Sequence, residues 1–282
     1  MELFPLLLIA IVFILGASIG SFLNVVVYRL PAGLSLLNPP SRCPHCLHRL
    51  SARDNVPVLG WLWLGGKCRY CKTAIAPRYP IIEAITGLLF VFALWMVAGP
   101  LWIDINPVLL VGHWVLLSWL LALALIDIDT MTLPNPLTQS GLVLGLIYQA
   151  ALGWSQTGSL SGVATYLMGG IVGAVVGIWL LDTIFVVGSI ALGQPAMGGG
   201  DAKLVALMGA WLGWKSLLLA GFLACALGAI VGSSAMALGL LKRRQPMPFG
   251  PFLALGTGIA LFFGESIITG YLNLFIPVPG GW

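Results

Sequence analysis

Residues 163–190 read VATYLMGGIVGAVVGIWLLDTIFVVGSI and contain a single charged side chain, Asp182. A transmembrane helix needs about 20 consecutive apolar residues, so this stretch predicts a helix that spans a membrane. The rest of the chain has the same character. Of its 282 residues, 59% are hydrophobic and 8% are charged, whereas an average soluble domain has about 25% charged residues.

This composition excludes a soluble globular protein, a disordered chain and a coiled coil, and it indicates a polytopic membrane protein. The formal net charge of +4 is too small and too scattered to indicate nucleic-acid binding. We therefore expect membrane lipid, but no nucleic acid, among the partners.

Seven apolar runs are long enough to span a bilayer, and an eighth run is short. The eighth, residues 204–214, would reach only about 17 Å as a helix, about half of the hydrocarbon core. The seven long runs are 4–28, 81–98, 107–126, 137–153, 163–190, 216–240 and 250–276.

The basic residues predict the orientation. Eight of the thirteen Lys and Arg lie between Arg29 and Arg78. Because cytoplasmic loops carry an excess of such residues, we expect the N-terminus outside and a cytoplasmic loop at 29–80. The basic residues 242–244 should also be cytoplasmic. They lie on that side only if the chain crosses the membrane twice after Lys203.

The short run is therefore expected to cross as well. The result is an all-α fold of about eight transmembrane helices with an outside C-terminus. We expect a first transmembrane helix at 1–28, the loop at 29–80 and a membrane-embedded core at 81–282.

Four cysteines in the loop form two C-x-x-C pairs, Cys43 with Cys46 and Cys68 with Cys71. This spacing is typical of a four-cysteine zinc ribbon, and nearby basic residues favour the thiolate form. A reducing cytoplasm disfavours disulfides. Structural zinc is the favoured interpretation, with redox pairs or disulfides as alternatives, and four thiolates leave no coordination site open for a catalytic water.

Three carboxylates stand at the ends of apolar runs at the predicted cytoplasmic face. Asp127 and Asp129 end the third run, and Asp201 follows three glycines, 198–200. An ionisable group at such a depth is costly and is a functional candidate by default. Two carboxylates that share a proton can activate water against a peptide carbonyl. The alternative is a structural ion pair with Lys203 or an arginine.

Glu83 and Asp182 are less specific signals. Glu83 opens the second run, where an acidic residue favours a helix N-terminus, so we interpret it as a capping residue. Asp182 is either a buried functional carboxylate or a mark of irregular helix geometry.

Two other function classes remain open on the residues alone. Intramembrane carboxylates also carry protons in transporters, although here they gather at one face. A non-enzymatic assembly factor would dock its partners through the cysteine loop. No G-x-S-x-G or H-E-x-x-H motif is present, so neither a serine hydrolase nor that type of metalloprotease is indicated.

Motifs over nearly the whole chain resemble those of the bacterial type IV prepilin peptidase family. The G-x-G-D motif of that family falls on Gly198 to Asp201. Its first catalytic aspartate stands seven residues before the proline of an L-P-N turn, here Asp127 before Pro134, and Asp129 falls on a variable position. The other matching segments are Gly20 to Val25, Tyr28 to Pro31, the two C-x-x-C pairs, Asp54 to Trp61, Arg78 to Pro80 with Glu83, and Pro248 to Pro251.

The resemblance implies an inner-membrane aspartic peptidase with Asp127 and Asp201 as its catalytic residues. Such an enzyme cleaves a short basic leader after glycine, on the cytoplasmic face, from prepilins or pseudopilins of type IV pili and type II secretion. Members with a cysteine loop also N-methylate the new N-terminal residue with S-adenosylmethionine. The 29–80 loop is then the methyltransferase part, to which no individual residue is assigned.

Overall fold

The computed structural model describes residues 3–99, 105–193, 198–242 and 245–275. Within these ranges the chain is helical, and its β-type pairing is limited to two isolated bridges. The all-α prediction is confirmed, whereas Arg243 and Arg244 of the predicted basic cluster lie outside the described residues. The helices are α1 (Leu3–Arg29), α2 (Leu59–Trp63), α3 (Arg78–Ala98), α4 (Pro107–Thr130), α5 (Asn135–Thr157), α6 (Leu160–Leu192), α7 (Asp201–Ala237) and α8 (Gly250–Phe275).

Six of these helices, α1, α3, α4, α6, α7 and α8, are long and apolar enough to cross a membrane. The short α2 lies within the 29–80 loop. α5 covers the predicted run 137–153 but is not among the six, because polar residues such as Gln139 and Gln149 interrupt its apolar sequence.

The chain forms two compact units. Unit 1, Met1–Ser118, contains α1, the cysteine loop, α3 and the first half of α4. Unit 2, Trp119–Trp282, contains the second half of α4 and the helices α5 to α8. Both predicted catalytic aspartates belong to unit 2, and all four paired cysteines belong to unit 1.

In unit 2, α6 and α7 approach each other through glycine. A Cβ at Gly173 would collide with the carbonyl group of Gly209, and a Cβ at Gly209 would collide with that of Gly173. Small residues let helix backbones come this close in lipid. This contact fixes the first half of α7, which begins at Asp201, against α6.

The chain reverses direction inside α7, at Gly213 (φ 72°, ψ 170°). A Cβ at Gly177 would lie 2.9 Å from the Val205 carbonyl oxygen and 3.1 Å from Leu217 Cδ2. Along a straight helix, Val205 and Leu217 would be about 18 Å apart. Both reach Gly177 because the segments before and after Gly213 run antiparallel.

This reversal corresponds to the boundary that the sequence predicts between the runs 204–214 and 216–240. The end of the first segment is held by side chains of α5 and α7. The Gln149 amide donates a hydrogen bond to the Trp211 carbonyl oxygen (2.7 Å), and Trp211 Nε1 donates one to the Gly141 carbonyl oxygen (2.8 Å). Each long apolar run of the sequence thus has a helical segment of its own.

The α6–α7 contact predicts the effect of adding one methyl group. Gly173→Ala should lower the free energy of unfolding by about 1–3 kcal/mol, because its methyl group overpacks the interface. The melting temperature of the purified protein should fall accordingly. Gly169→Ala, one turn earlier in α6, is the matched control, since nothing lies within 4 Å of a Cβ there. Equal melting temperatures for the two variants in detergent would contradict this account.

Candidate active site and metal centre

Asp127 is buried near the end of α4, with 5% of its surface exposed. Its Oδ2 accepts a hydrogen bond from the backbone N–H of Gly250, at 2.8 Å. A Cβ at position 250 would lie only 2.8 Å from that same oxygen. The start of α8 therefore needs glycine here in order to reach the carboxylate.

Asp201 is the first residue of α7 and is also buried, with 8% of its surface exposed. The Gly200 backbone before it packs on Leu133, which follows α4. Asp127 and Asp201 lie close enough for their charges to repel each other. The structure thus brings together the two carboxylates that the sequence selected.

The ion-pair alternative does not describe this site. Lys203 Nζ donates a hydrogen bond to Asn135 Oδ1 at 2.6 Å. Within the part of the chain that the structure describes, no lysine or arginine forms a salt bridge with Asp127 or Asp201. Among the described residues, no cation therefore compensates the charge of either carboxylate.

Neither Asp129 nor Asp182 joins this pair. Asp129 is exposed at the end of α4, while Asp127 is buried. Asp182 is exposed as well, on an open groove of about 390 Å³ along α6. α6 is an unbroken helix from Leu160 to Leu192, so both interpretations of Asp182, a buried carboxylate and an irregular helix, are wrong.

Glu83 does not cap its own helix as predicted. α3 begins at Arg78, five residues earlier, and has no acidic residue in its first turn. Glu83 is buried and accepts a hydrogen bond from the backbone N–H of Val58 (2.7 Å). This bond joins the cysteine loop to α3.

The four loop cysteines form one cluster, with all their sulfur atoms within 4.8 Å of one another. The Sγ–Sγ distance is 3.7 Å for Cys43 and Cys71, and 3.9 Å for Cys46 and Cys68. A tetrahedral ion with metal–sulfur bonds of about 2.3 Å requires about 3.8 Å between sulfurs. All four are free thiols rather than disulfides, and the cluster can hold a metal ion.

The two halves of the cluster have the same local fold. The N–H of Cys43 donates to the His48 carbonyl oxygen, and that of Cys68 to the Thr73 carbonyl oxygen. Hydrogen bonding with the Thr73 side chain and backbone lowers the pKa of Cys71 to about 6. Backbone hydrogen bonds likewise lower the pKa of Cys43. These bonds favour the thiolate at Cys43 and Cys71. At Cys46 a backbone hydrogen bond with His48 acts in the same direction, but burial and the other three cysteines outweigh it and raise the pKa to about 11.

A bidentate ion pair supports this part of the loop. Arg69 Nε and Nη2 donate to Asp54 Oδ1 at 2.9 and 2.5 Å. The Asp54 side chain is 1% exposed, and the hydrogen bond from Arg69 lowers its pKa. The pair ties the second cysteine knuckle to the segment before α2.

Two family models match the chain, one over each part of the fold. Residues 14–97 match the bacterial peptidase A24 N-terminal domain, and residues 114–233 match the type IV leader peptidase family. The chain belongs to the type IV leader peptidase family. Its membership and its six long apolar helices indicate a multi-pass protein of the inner membrane.

Curated members of the family are similar over almost their whole length. A protein of Aeromonas hydrophila is 37% identical over 296 residues, which cover 96% of each chain. One of Pseudomonas aeruginosa is 37% identical and covers 95% of each. Both are named prepilin leader peptidase/N-methyltransferase. No solved structure matches the chain at a significant level.

The cluster geometry predicts a metal that depends on all four thiols. Cys68→Ser should lose the bound metal, because three thiolates and a hydroxyl form a much weaker site. Elemental analysis of protein purified under reducing conditions measures this. Cys225→Ser is the control, because Cys225 lies in α7 outside the cluster. Metal retained in full by Cys68→Ser would contradict the site.

Proposed function

We propose that this protein is a leader peptidase for prepilins or pseudopilins, which also N-methylates the N-terminus that cleavage exposes. The observation that carries the peptidase is the pair Asp127 and Asp201, both buried and without a salt bridge among the described residues, inside the segment that matches the peptidase model. The names of the relatives support both activities.

The paired carboxylates supply an acid and a base for peptide hydrolysis. Since two like charges this close are unfavourable, the pair shares one proton. The ionised carboxylate takes a proton from water, and the oxygen of that water attacks the carbonyl carbon of the glycine before the cleaved bond. The protonated carboxyl donates its proton to the departing amine. The Gly250 N–H holds Asp127 in a fixed orientation throughout.

The basic residues support the orientation. With the 29–80 loop in the cytoplasm, the N-terminus lies outside and both aspartates lie toward the cytoplasmic face. A substrate with a basic leader then presents its scissile bond on the side where such leaders are retained. The apolar segment after the leader lies in the membrane beside the enzyme.

Zinc fits the cysteine cluster, since the sulfur distances match a tetrahedral ion. Cys43, Cys46, Cys68 and Cys71 would hold it, and the ion would stabilise the fold of the loop. We assign it no chemical step, because four thiolates leave no open coordination position.

S-adenosylmethionine is the proposed methyl donor, on the strength of the names of the relatives. When bound it supplies an electrophilic methyl group. The loop and its neighbouring helices are the proposed methyltransferase part, because both acids of the peptidase lie in unit 2. Unit 1 contains a buried carboxylate, Glu83, of a kind that suits cationic reaction partners.

Replacement of either catalytic carboxylate tests the peptidase. Asp127→Asn and Asp201→Asn should each abolish leader cleavage of a purified prepilin, because an amide can neither take nor share the proton. Asp129→Asn, two residues along α4, should cleave normally. Mass spectrometry of the substrate measures the products. Full cleavage by either active-site variant would favour a non-enzymatic assembly factor instead.

The Gly250 contact makes a second prediction for the same site. Gly250→Ala should lower the kcat of cleavage by about 10²-fold, because its methyl group displaces the Asp127 carboxylate and misplaces the acid–base pair. Gly258→Ala, two turns further along α8, has nothing within 4 Å of its Cβ and should cleave at the wild-type rate. Equal rates for the two variants would argue against this positioning role.

A further inference from the structure

Unit 1 contains a carboxylate that the peptidase does not use. Its two described acidic side chains are Asp54 and Glu83, since Glu2 and Asp104 lie outside the described residues. Asp54 is paired with Arg69. Glu83 is 9% exposed and forms no salt bridge within the described part of the chain. A buried carboxylate in this state lacks the positive partner that such a group favours.

The group that donates to Glu83 is neutral. It is the backbone N–H of Val58, from the loop. Among the described residues of α1, the loop and α3, no lysine or arginine forms a salt bridge with Glu83. Nearby, the buried Asn24 side chain donates to the Tyr79 carbonyl oxygen at 3.2 Å. The loop-side ends of α1 and α3 thus enclose a polar cluster with one ionisable member.

Val58 adopts an unusual backbone geometry at this contact. Its φ of 61° lies in the left-handed region, which is unfavourable for a β-branched residue. Such strain persists where surrounding contacts fix it, and it is found preferentially at functional sites. Here the strained residue directs its N–H at Glu83 and fixes the position of the carboxylate.

We propose that Glu83 binds the α-ammonium group of the cleaved substrate and accepts its proton, which makes it a catalytic residue of methyl transfer. This inference rests on the proposed function. An α-amino group has a pKa of about 7.7–8.0, so near neutral pH it is mostly protonated and has no lone pair with which to react.

Proton transfer to Glu83 frees that lone pair. The nitrogen then forms a bond to the methyl carbon supplied by S-adenosylmethionine. The carbon–sulfur bond would break with both electrons going to sulfur, which leaves S-adenosylhomocysteine and a methylated ammonium group that carries the positive charge. The proton on Glu83 returns to water before the next turnover.

Binding without the methyl donor tests the ammonium contact directly. The probes are a peptide with the apolar N-terminal sequence of a mature pilin and the same peptide with an acetylated N-terminus. Full-length zinc-loaded protein in nanodiscs should bind the free amine about tenfold more tightly than the acetylated form. Glu83→Gln should abolish this preference, because the glutamine amide carries no negative charge. The glutamine carbonyl oxygen can still accept the hydrogen bond from Val58, so that contact is kept.

Zinc content is the structural control, and Glu83→Gln should keep the zinc content of the wild type. A preference for the free amine that survives in this variant overturns the proposal. If Glu83→Gln loses zinc, Glu83→Asp decides the question. Retained zinc with a retained preference supports the ammonium site, and retained zinc without a preference overturns it.

The pH profile of methylation separates proton transfer from a structural role. Glu83→Gln should methylate more slowly than the wild type, and the ratio of the two rates should shrink about tenfold between pH 6.5 and pH 9. At the higher pH the substrate amine loses its proton to solvent and no longer needs Glu83 as acceptor. A constant deficit overturns the role as proton acceptor. Failure of the proposed function is distinguishable, since the wild-type protein would then neither cleave nor methylate.

Discussion

A single backbone hydrogen bond, from Gly250 to Asp127, joins the end of α4 to the start of α8 and decides where one half of the acid pair stands. The other half depends on the glycine contact between α6 and α7, which fixes the segment that begins at Asp201. In both places a missing side chain lets backbone occupy space that a methyl group would fill. The geometry of the proposed peptidase site therefore depends on close backbone approach.

The sequence predicted the elements that depend on local pattern. The cysteine spacing predicted the cluster, because each C-x-x-C pair forms its own knuckle and two knuckles suffice for four ligands. The apolar runs predicted the helical segments, and the basic residues separated the run 204–214 from the next one. The structure places a reversal at Gly213, at that boundary.

Contacts between distant residues carried no such signal. Gly250 and Asp127 are 123 residues apart, and the motif around Gly250 did not indicate which group it meets. The hydrogen bond from Val58 to Glu83 depends on a positive φ at Val58. Because β-branched residues rarely adopt a positive φ, the sequence did not predict this contact. Hydropathy placed Asp182 in an apolar run but did not indicate which side of the helix it faces, so the burial expected for it was wrong.

The turn at Gly213 has a consequence for the sidedness of the chain. Two antiparallel segments return the polypeptide to the face from which it set out, however deep the hairpin reaches. The turn at Gly213 lies beside Gly169 of α6. From Gly169, α6 extends about 14 Å further to its first residue, Leu160, so the turn stops about 14 Å short of that end of α6. Lys215 lies just after the turn, so the depth of the hairpin decides whether this lysine crosses the bilayer. The direction of α8 does not depend on that depth, because the hairpin returns the chain to the same face in either case.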